Sequence, residues 1–276
     1  MDGSVIDAWI TSRPNGRVPV ILMLQGSNCD SDRDSFASLT RPWRDRYVLL
    51  YIAKPGTSEN ADCPISYLAR NTIGQRLHDV LRIMEKLRRA PWWNRKLYVI
   101  GASEGGLIAG LVSASVPETK RTAILAYGGA LTMGEWWPQA AYAAVLKETG
   151  SSQAALAEQA EVFDAFAKAR ANPRSIETFG GDTNTLAWWA SIIDLRLLPV
   201  ILNVDSPLLL VHGSEDPFAP VEGARAVERA FKKAGKTNLT YREYPDLDHA
   251  FVDRAGHSFG EEVTMSSLDW LLGRRR

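Results

Sequence analysis

Ser103 lies at the centre of Gly101-Ala102-Ser103-Glu104-Gly105, which matches the pattern G-x-S-x-G, and Gly106 follows. A serine hydroxyl is a weak nucleophile near neutral pH and needs a base, most often a histidine oriented by a carboxylate. The pentapeptide alone says little, because glycine and serine are common. Its setting says more. Leu97 to Ile100 reads as a short strand running into Gly101, and the stretch after Gly105 reads as a buried helix. A strand-turn-helix with serine at its apex exposes the hydroxyl and aims a helix N-terminus at it, which favours developing negative charge.

The partners must follow in the order serine, acid, histidine if the chain is built on this plan. Asp216 occurs in His212-Gly213-Ser214-Glu215-Asp216-Pro217, just past the apolar run Leu208 to Val211. His249 occurs in Asp246-Leu247-Asp248-His249-Ala250-Phe251, just past a run ending at Tyr244. Both are expected in loops at the C-terminal edge of a sheet, where open α/β sheets carry their sites. Of the four histidines, His78 precedes Ser103 in a helical pattern and His212 ends a strand, so both read as structural. His257 is the rival base. Glu215 is expected to point elsewhere, and Asp246 and Asp248 are too close to His249 in sequence to brace its ring. The oxyanion needs two N–H donors. Glu104, after the nucleophile, is one candidate. Ser27, in the loop Gln25-Gly26-Ser27-Asn28, is the other, against the plainer reading that this loop is only a turn.

These residues require a scaffold, and the chain has the elements for one. Val5 to Thr11 reads as a first strand, and the turn Arg13-Pro14-Asn15-Gly16 predicts a hairpin into the apolar run Val18 to Leu24. Tyr47 to Ile52, Thr122 to Tyr127, Leu208 to Val211 and Leu239 to Tyr244 read as further strands. Helical spacing runs from Leu68 to Leu87, again over Val221, Ala224, Val227 and Phe231, and last over Val263, Leu268, Leu271 and Leu272. Strands alternating with helices imply a mainly parallel sheet covered on both faces. Between Ala130 and Asp205 no strand is apparent. Helical patterns such as Ala154 to Ala169 and the pairs Trp136-Trp137 and Trp188-Trp189 occupy it. The expected organisation is a core of residues 1–130 and 204–276 with a helical lid, 131–203. The four tryptophans either line an acyl or alcohol pocket or pack the lid on the core.

Composition narrows the function classes. The chain has 276 residues, 45% hydrophobic and 23% charged, which is ordinary for a globular protein. Lys+Arg and Asp+Glu both number 32, so no basic excess points to nucleic acid. The closing Arg274-Arg275-Arg276 reads as a solvated tail. No apolar run reaches the roughly 18 residues of a membrane span, and no leader follows Met1-Asp2-Gly3, so a cytoplasmic protein is expected, or a periplasmic or secreted one if a leader was removed. Cys29 and Cys63 lack metal-ligand spacing. The plainer reading is two reduced thiols; a disulfide between neighbouring loops would imply an oxidising compartment.

With these motifs in place the sequence resembles the α/β-hydrolase superfamily over nearly its whole length. The matching pieces are Gln25-Gly26-Ser27 where His-Gly-x is usual, Gly101-Ala102-Ser103-Glu104-Gly105-Gly106, Gly213-Ser214-Glu215-Asp216-Pro217 and Asp248-His249-Ala250-Phe251. They look like the dienelactone-hydrolase, acyl-peptidase and carboxylesterase branches. The resemblance implies an eight-stranded, mostly parallel sheet, a triad of Ser103, Asp216 and His249, a cap, no metal and no cofactor. The expected reaction is hydrolysis of a small-molecule ester, by a monomer or homodimer; if the four tryptophans line the pocket, a bulky or cyclic ester such as a lactone or macrolactone is expected. Amide or peptide hydrolysis is the rival within the class, and a non-catalytic ligand-binding protein the rival outside it. Gln25 in place of histidine is expected to brace the oxyanion loop.

Overall fold

The computed structural model describes residues 5–11, 16–54, 56–57, 63–178 and 184–273. The turn at Arg13, Pro14 and Asn15, the segment Met1-Asp2-Gly3 and the tail Arg274-Arg275-Arg276 lie outside them. In chain order the elements are β1 Ala8–Ile10, β2 Val18–Leu24, α1 Arg33–Thr40, β3 Val48–Ile52, α2 Ile65–Leu68, α3 Ile73–Leu87, β4 Trp93–Ala102, α4 Glu104–Ser115 and β5 Thr119–Leu125. Then come α5 Met133–Thr149, α6 Ser152–Ala171, α7 Leu186–Ile192, α8 Leu198–Ile201, β6 Leu208–Gly213, α9 Val221–Lys233, β7 Leu239–Tyr244 and α10 Gly260–Leu271.

The sheet has the order β1-β3-β2-β4-β5-β6-β7, and every neighbouring pair is parallel except β1 with β3. Two expectations are corrected here. The first strand does not form a hairpin with β2. Parallel partners β3 and β4 take both edges of β2, so β1 is displaced to the outer edge of β3, where Trp9 opposes Tyr51. The sheet also has seven strands among the described residues, not the eight that the resemblance implies; the apolar runs read from the sequence number seven, and no further one supplies an eighth.

Alternation along β2 explains why both faces are covered. Val20, Leu22 and Leu24 join the larger core with Val80 and Met84 of α3, Leu107 and Ile108 of α4, and Val227 and Phe231 of α9. Ile21 and Met23 point the other way, into a smaller core with Val263, Leu268 and Leu271 of α10. The strand ends therefore stand on a scaffold fixed from both sides. The helices between β5 and β6 begin on strong local signals. Thr132 and Glu135 form a capping box at α5, Ser151 caps α6, and Thr185 caps α7. α5 packs on α6, α6 on α7, and α7 and α8 reach the core helices α3 and α4.

Candidate active site

Ser103 is the single residue between β4 and α4. Its backbone sits at φ 54°, ψ −125°, a region that L-residues avoid at a cost of about 1–3 kcal/mol. The turn is held from both sides: Ser103 N donates to Leu125 O at 2.9 Å, and Gly106 N donates to Ser103 O at 2.9 Å. Glycine is required where the turn touches its neighbours. A Cβ on Gly105 would come within 2.0 Å of Leu24 O, and one on Gly101 within 2.1 Å of Gly105 O. The G-x-S-x-G pattern is thus a record of backbone crowding between β2, β4 and α4.

Asp216 lies in the loop after β6, and its side chain is fully buried. Its Oδ1 accepts the N–H groups of Phe218 and Ala219 at 2.8 and 2.9 Å, and its Oδ2 faces Nδ1 of His249 at 2.8 Å. Two backbone donors fix the carboxylate, and the other oxygen is aimed at the His249 imidazole, with His212 Nε2 3.4 Å from it. His249 and Ser103 line the same cavity, which also includes Ser27 and Glu104. His212 is buried and bonded through Nε2 to Ala219 O; burial holds its pKa below the ordinary histidine range. His257 pairs with Asp253 at 3.1 Å on an exposed loop, and Glu215 pairs with Arg254 at 3.0 Å. Asp248 is turned onto the N–H groups of Ala250 and Val252. His78 is exposed beside Asp79.

The loop from Gln25 to Asn28 is tightly braced. Gln25 is buried; its Nε2 donates to Asp30 O at 2.8 Å and Asn28 O at 3.3 Å, and its Oε1 accepts from the Tyr51 hydroxyl. Cys29 and Cys63 form a disulfide with Cα atoms 5.4 Å apart, which corrects the reading as two reduced thiols. That cross-link ties the end of the loop to the segment leading into α2.

The cavity has a volume of about 470 Å³ and is walled largely by Trp136, Trp137, Trp188, Trp189, Phe218, Met133 and Tyr127. The tryptophans both pack and line. Phe166 stacks on Trp189, Trp189 on Trp137, Trp137 on Phe218, and Phe218 on the His249 ring, at centroid distances of 5.4–6.3 Å. Trp188 meets Trp189 at 4.9 Å, and Trp136 meets Trp137 at 5.1 Å. Sequence reasoning missed Phe218, which follows Pro217 in the loop after β6, and read Tyr127 only as the end of a strand. It also missed the Glu104 side chain, which is buried and accepts from the Trp188 indole at 2.6 Å. Among the described residues no group of three His, Cys, Asp or Glu is placed to hold a metal ion. No described helix is long and apolar enough to cross a membrane.

A family model described as serine aminopeptidase, S33, matches residues 69–253, a span that contains Ser103, Asp216 and His249. The chain belongs to this family of α/β-hydrolases. The S33 chain shares its fold with Est1E from Butyrivibrio proteoclasticus, solved with ferulic acid bound, at 16% identity and a TM-score of 0.65, covering 99% of this chain and 96% of that one. It is similar to an enol-lactonase from Burkholderia xenovorans LB400 at 19% identity and a TM-score of 0.62, covering 99% and 98%. It is also similar to a monoacylglycerol lipase from Paleococcus ferrophilus at 16% identity and a TM-score of 0.61, covering 98% and 99%. No curated protein sequence matches the chain. The S33 chain is thus a hydrolytic enzyme on an α/β-hydrolase fold.

Proposed function

We propose that this enzyme hydrolyses carboxylic esters through an acyl-enzyme on Ser103. The observation that carries the reading is the convergence of a strained, half-buried Ser103 and the Asp216–His249 pair on one cavity. Nε2 of His249 takes the Ser103 proton as Oγ bonds the acyl carbon. The N–H groups of Ser27 and Glu104 hold the oxyanion. The C–O bond to the alcohol then breaks, and His249 gives its proton to the departing oxygen. Water repeats the sequence and frees the acid. Asp216 keeps the proton on Nδ1 and stabilises the imidazolium.

Ester is favoured over amide by the cavity wall. An aminopeptidase, as the family description would have it, needs an acidic group to hold the substrate's ammonium. Glu104 is the only carboxylate among the described lining residues, and Lys54, Arg76 and Trp188 already engage it. The aromatic wall instead suits a bulky, largely apolar acyl or alcohol group, linear or closed as a lactone. Such groups are what the similar structures' names describe: an esterase with ferulic acid, a lipase and a lactonase. Residues 131–203 act as the lid that supplies most of this wall, with Tyr127 and Phe218 added by the core. The Cys29–Cys63 bond favours work in an oxidising compartment over the cytoplasm.

A panel of p-nitrophenyl esters graded from acetyl to arylpropenoyl, with lactones and aminoacyl p-nitroanilides alongside, tests the reading. Esters with bulky acyl groups are expected to give the highest kcat/KM. Turnover of anilides without turnover of any ester overturns it.

A further inference from the structure

Behind the oxyanion loop lies a buried ionic cluster whose members come from four distant segments. Lys54 follows β3, Tyr67 lies in α2, Arg76 lies in α3 and Glu104 opens α4, and all four are at most 8% exposed. Their polar atoms converge on the carbonyls of the loop. Arg76 Nη2 donates to Gln25 O at 2.8 Å, the Tyr67 hydroxyl to Ser27 O at 2.7 Å, and Lys54 Nζ to Asn28 O at 3.1 Å. The Gly26–Ser27 peptide, whose N–H is the oxyanion donor, lies between carbonyls pinned from behind.

Glu104 is the hub. Its Oε1 lies 3.3 Å from Lys54 Nζ and 3.2 Å from Arg76 Nη1, and its Oε2 accepts the Trp188 indole at 2.6 Å. Trp188 lines the substrate cavity. Burial pushes the Glu104 carboxyl above the usual carboxylate range, and Arg76 and Trp188 offset only part of that rise. Two buried cations facing one carboxylate are a costly arrangement that an apolar packing could replace. The polar atoms of the cluster meet the loop, the turn and the cavity wall, which fits a role in the reaction.

We propose that the Glu104 carboxylate is a positioning residue: it holds Lys54 and Arg76 against the oxyanion loop and couples that loop to Trp188 in the substrate wall. The proposal rests on the reading of Ser27 and Glu104 N–H as the oxyanion donors. Its effect therefore falls on the transition state. A bound substrate's alkyl or aryl group contacts the wall, but the pinned N–H meets charge only as the oxyanion forms.

The test is Glu104→Gln, which keeps the shape and the acceptor for Trp188 but removes the charge. Misplacing a reacting group by about 1 Å costs on the order of a hundredfold. A partial loosening is therefore expected to lower kcat about tenfold while KM stays within about threefold. Affinity for an aryl trifluoromethyl ketone, which forms a tetrahedral oxyanion on the serine, falls by the same factor as kcat/KM. Affinity for the matching alcohol product, which carries no charge to meet the N–H, does not change. Lys54→Met, which removes the donor to Asn28, is measured in parallel and is expected to show the same split. It carries the test if the first variant does not fold by circular dichroism. Folded variants that keep kcat within twofold of the parent, or that change KM alone, overturn the proposal. Parent enzyme that turns over p-nitrophenyl acetate while Ser103→Ala does not, together with unaffected variants, overturns this inference alone. Parent enzyme inert toward every ester overturns the esterase reading and this inference with it.

Discussion

Replacing Asp216 by asparagine changes one atom and should silence the enzyme while leaving it folded. Oδ1 of Asp216 accepts two backbone N–H groups, from Phe218 and Ala219 at 2.8 and 2.9 Å. The asparagine oxygen must take that place. The opposite orientation would leave two buried N–H groups facing an amide NH₂, at about 1–3 kcal/mol each. The NH₂ therefore stands where Oδ2 was, 2.8 Å from His249 Nδ1. It donates to Nδ1, which must then be the unprotonated nitrogen. The proton moves to Nε2, and the ring cannot accept one from Ser103. Holding the wrong tautomer costs a triad enzyme roughly 10⁴-fold in kcat, or about 5.4 kcal/mol of barrier. The stability cost is small, because a charge-assisted hydrogen bond becomes a neutral one, a loss of about 1 kcal/mol. For a chain of this length that lowers Tm by roughly 2–4 °C. Saturating p-nitrophenyl ester turnover, normalised by circular dichroism and a thermal melt, reads both numbers. A folded Asp216→Asn enzyme within tenfold of the parent kcat would refute the reasoning.

Further outcomes follow from the same geometry. Gly105→Ala places a Cβ within 2.0 Å of Leu24 O and 2.7 Å of Gln25 O, both backbone atoms that cannot yield without moving β2. It is expected to cost about 4 kcal/mol or more, read as loss of the cooperative melt. Burial lowers the pKa of His212, so the unfolded chain binds a proton there at a pH where the native state does not. Native stability is thus full above the ordinary histidine pKa of about 6.5 and falls as pH drops below it. His212→Gln should flatten the stability profile as pH falls below about 6.5, by up to about 1.4 kcal/mol per pH unit, read by urea melts. An unchanged slope would mean that another group carries it.

The residues proposed to react could be picked out in the sequence because each is announced locally. Ser103 sits among glycines at a change from strand to helix, and Asp216 and His249 each follow an apolar run in the required order. Residues that act through distant partners were not legible. Glu104 was read only for its backbone N–H; its one sequence signal is a carboxylate opening an otherwise apolar helix, and its partners Lys54, Arg76 and Trp188 come from separate segments. β4 begins at Trp93 rather than Leu97 because Asn94, Arg95 and Lys96 hide it. That stretch bulges opposite Val18 to Val20, with Arg95 at φ 63°. The pairing of β1 was misread because turn chemistry names a nearby strand, whereas the competition for the edges of β2 is settled by the whole sheet. The Cys29–Cys63 bond depends on two loops meeting, which no spacing encodes.

Ser103 as an activated nucleophile is the central claim, and a fluorophosphonate probe tests it most directly. Intact-mass and peptide mapping should find one phosphonyl adduct per chain, on Ser103, formed rapidly in the parent enzyme. The adduct should be absent in Ser103→Ala and strongly slowed in His249→Ala, with all three proteins folded. No labelling of the folded parent, or an adduct on another serine that survives Ser103→Ala, would contradict the account.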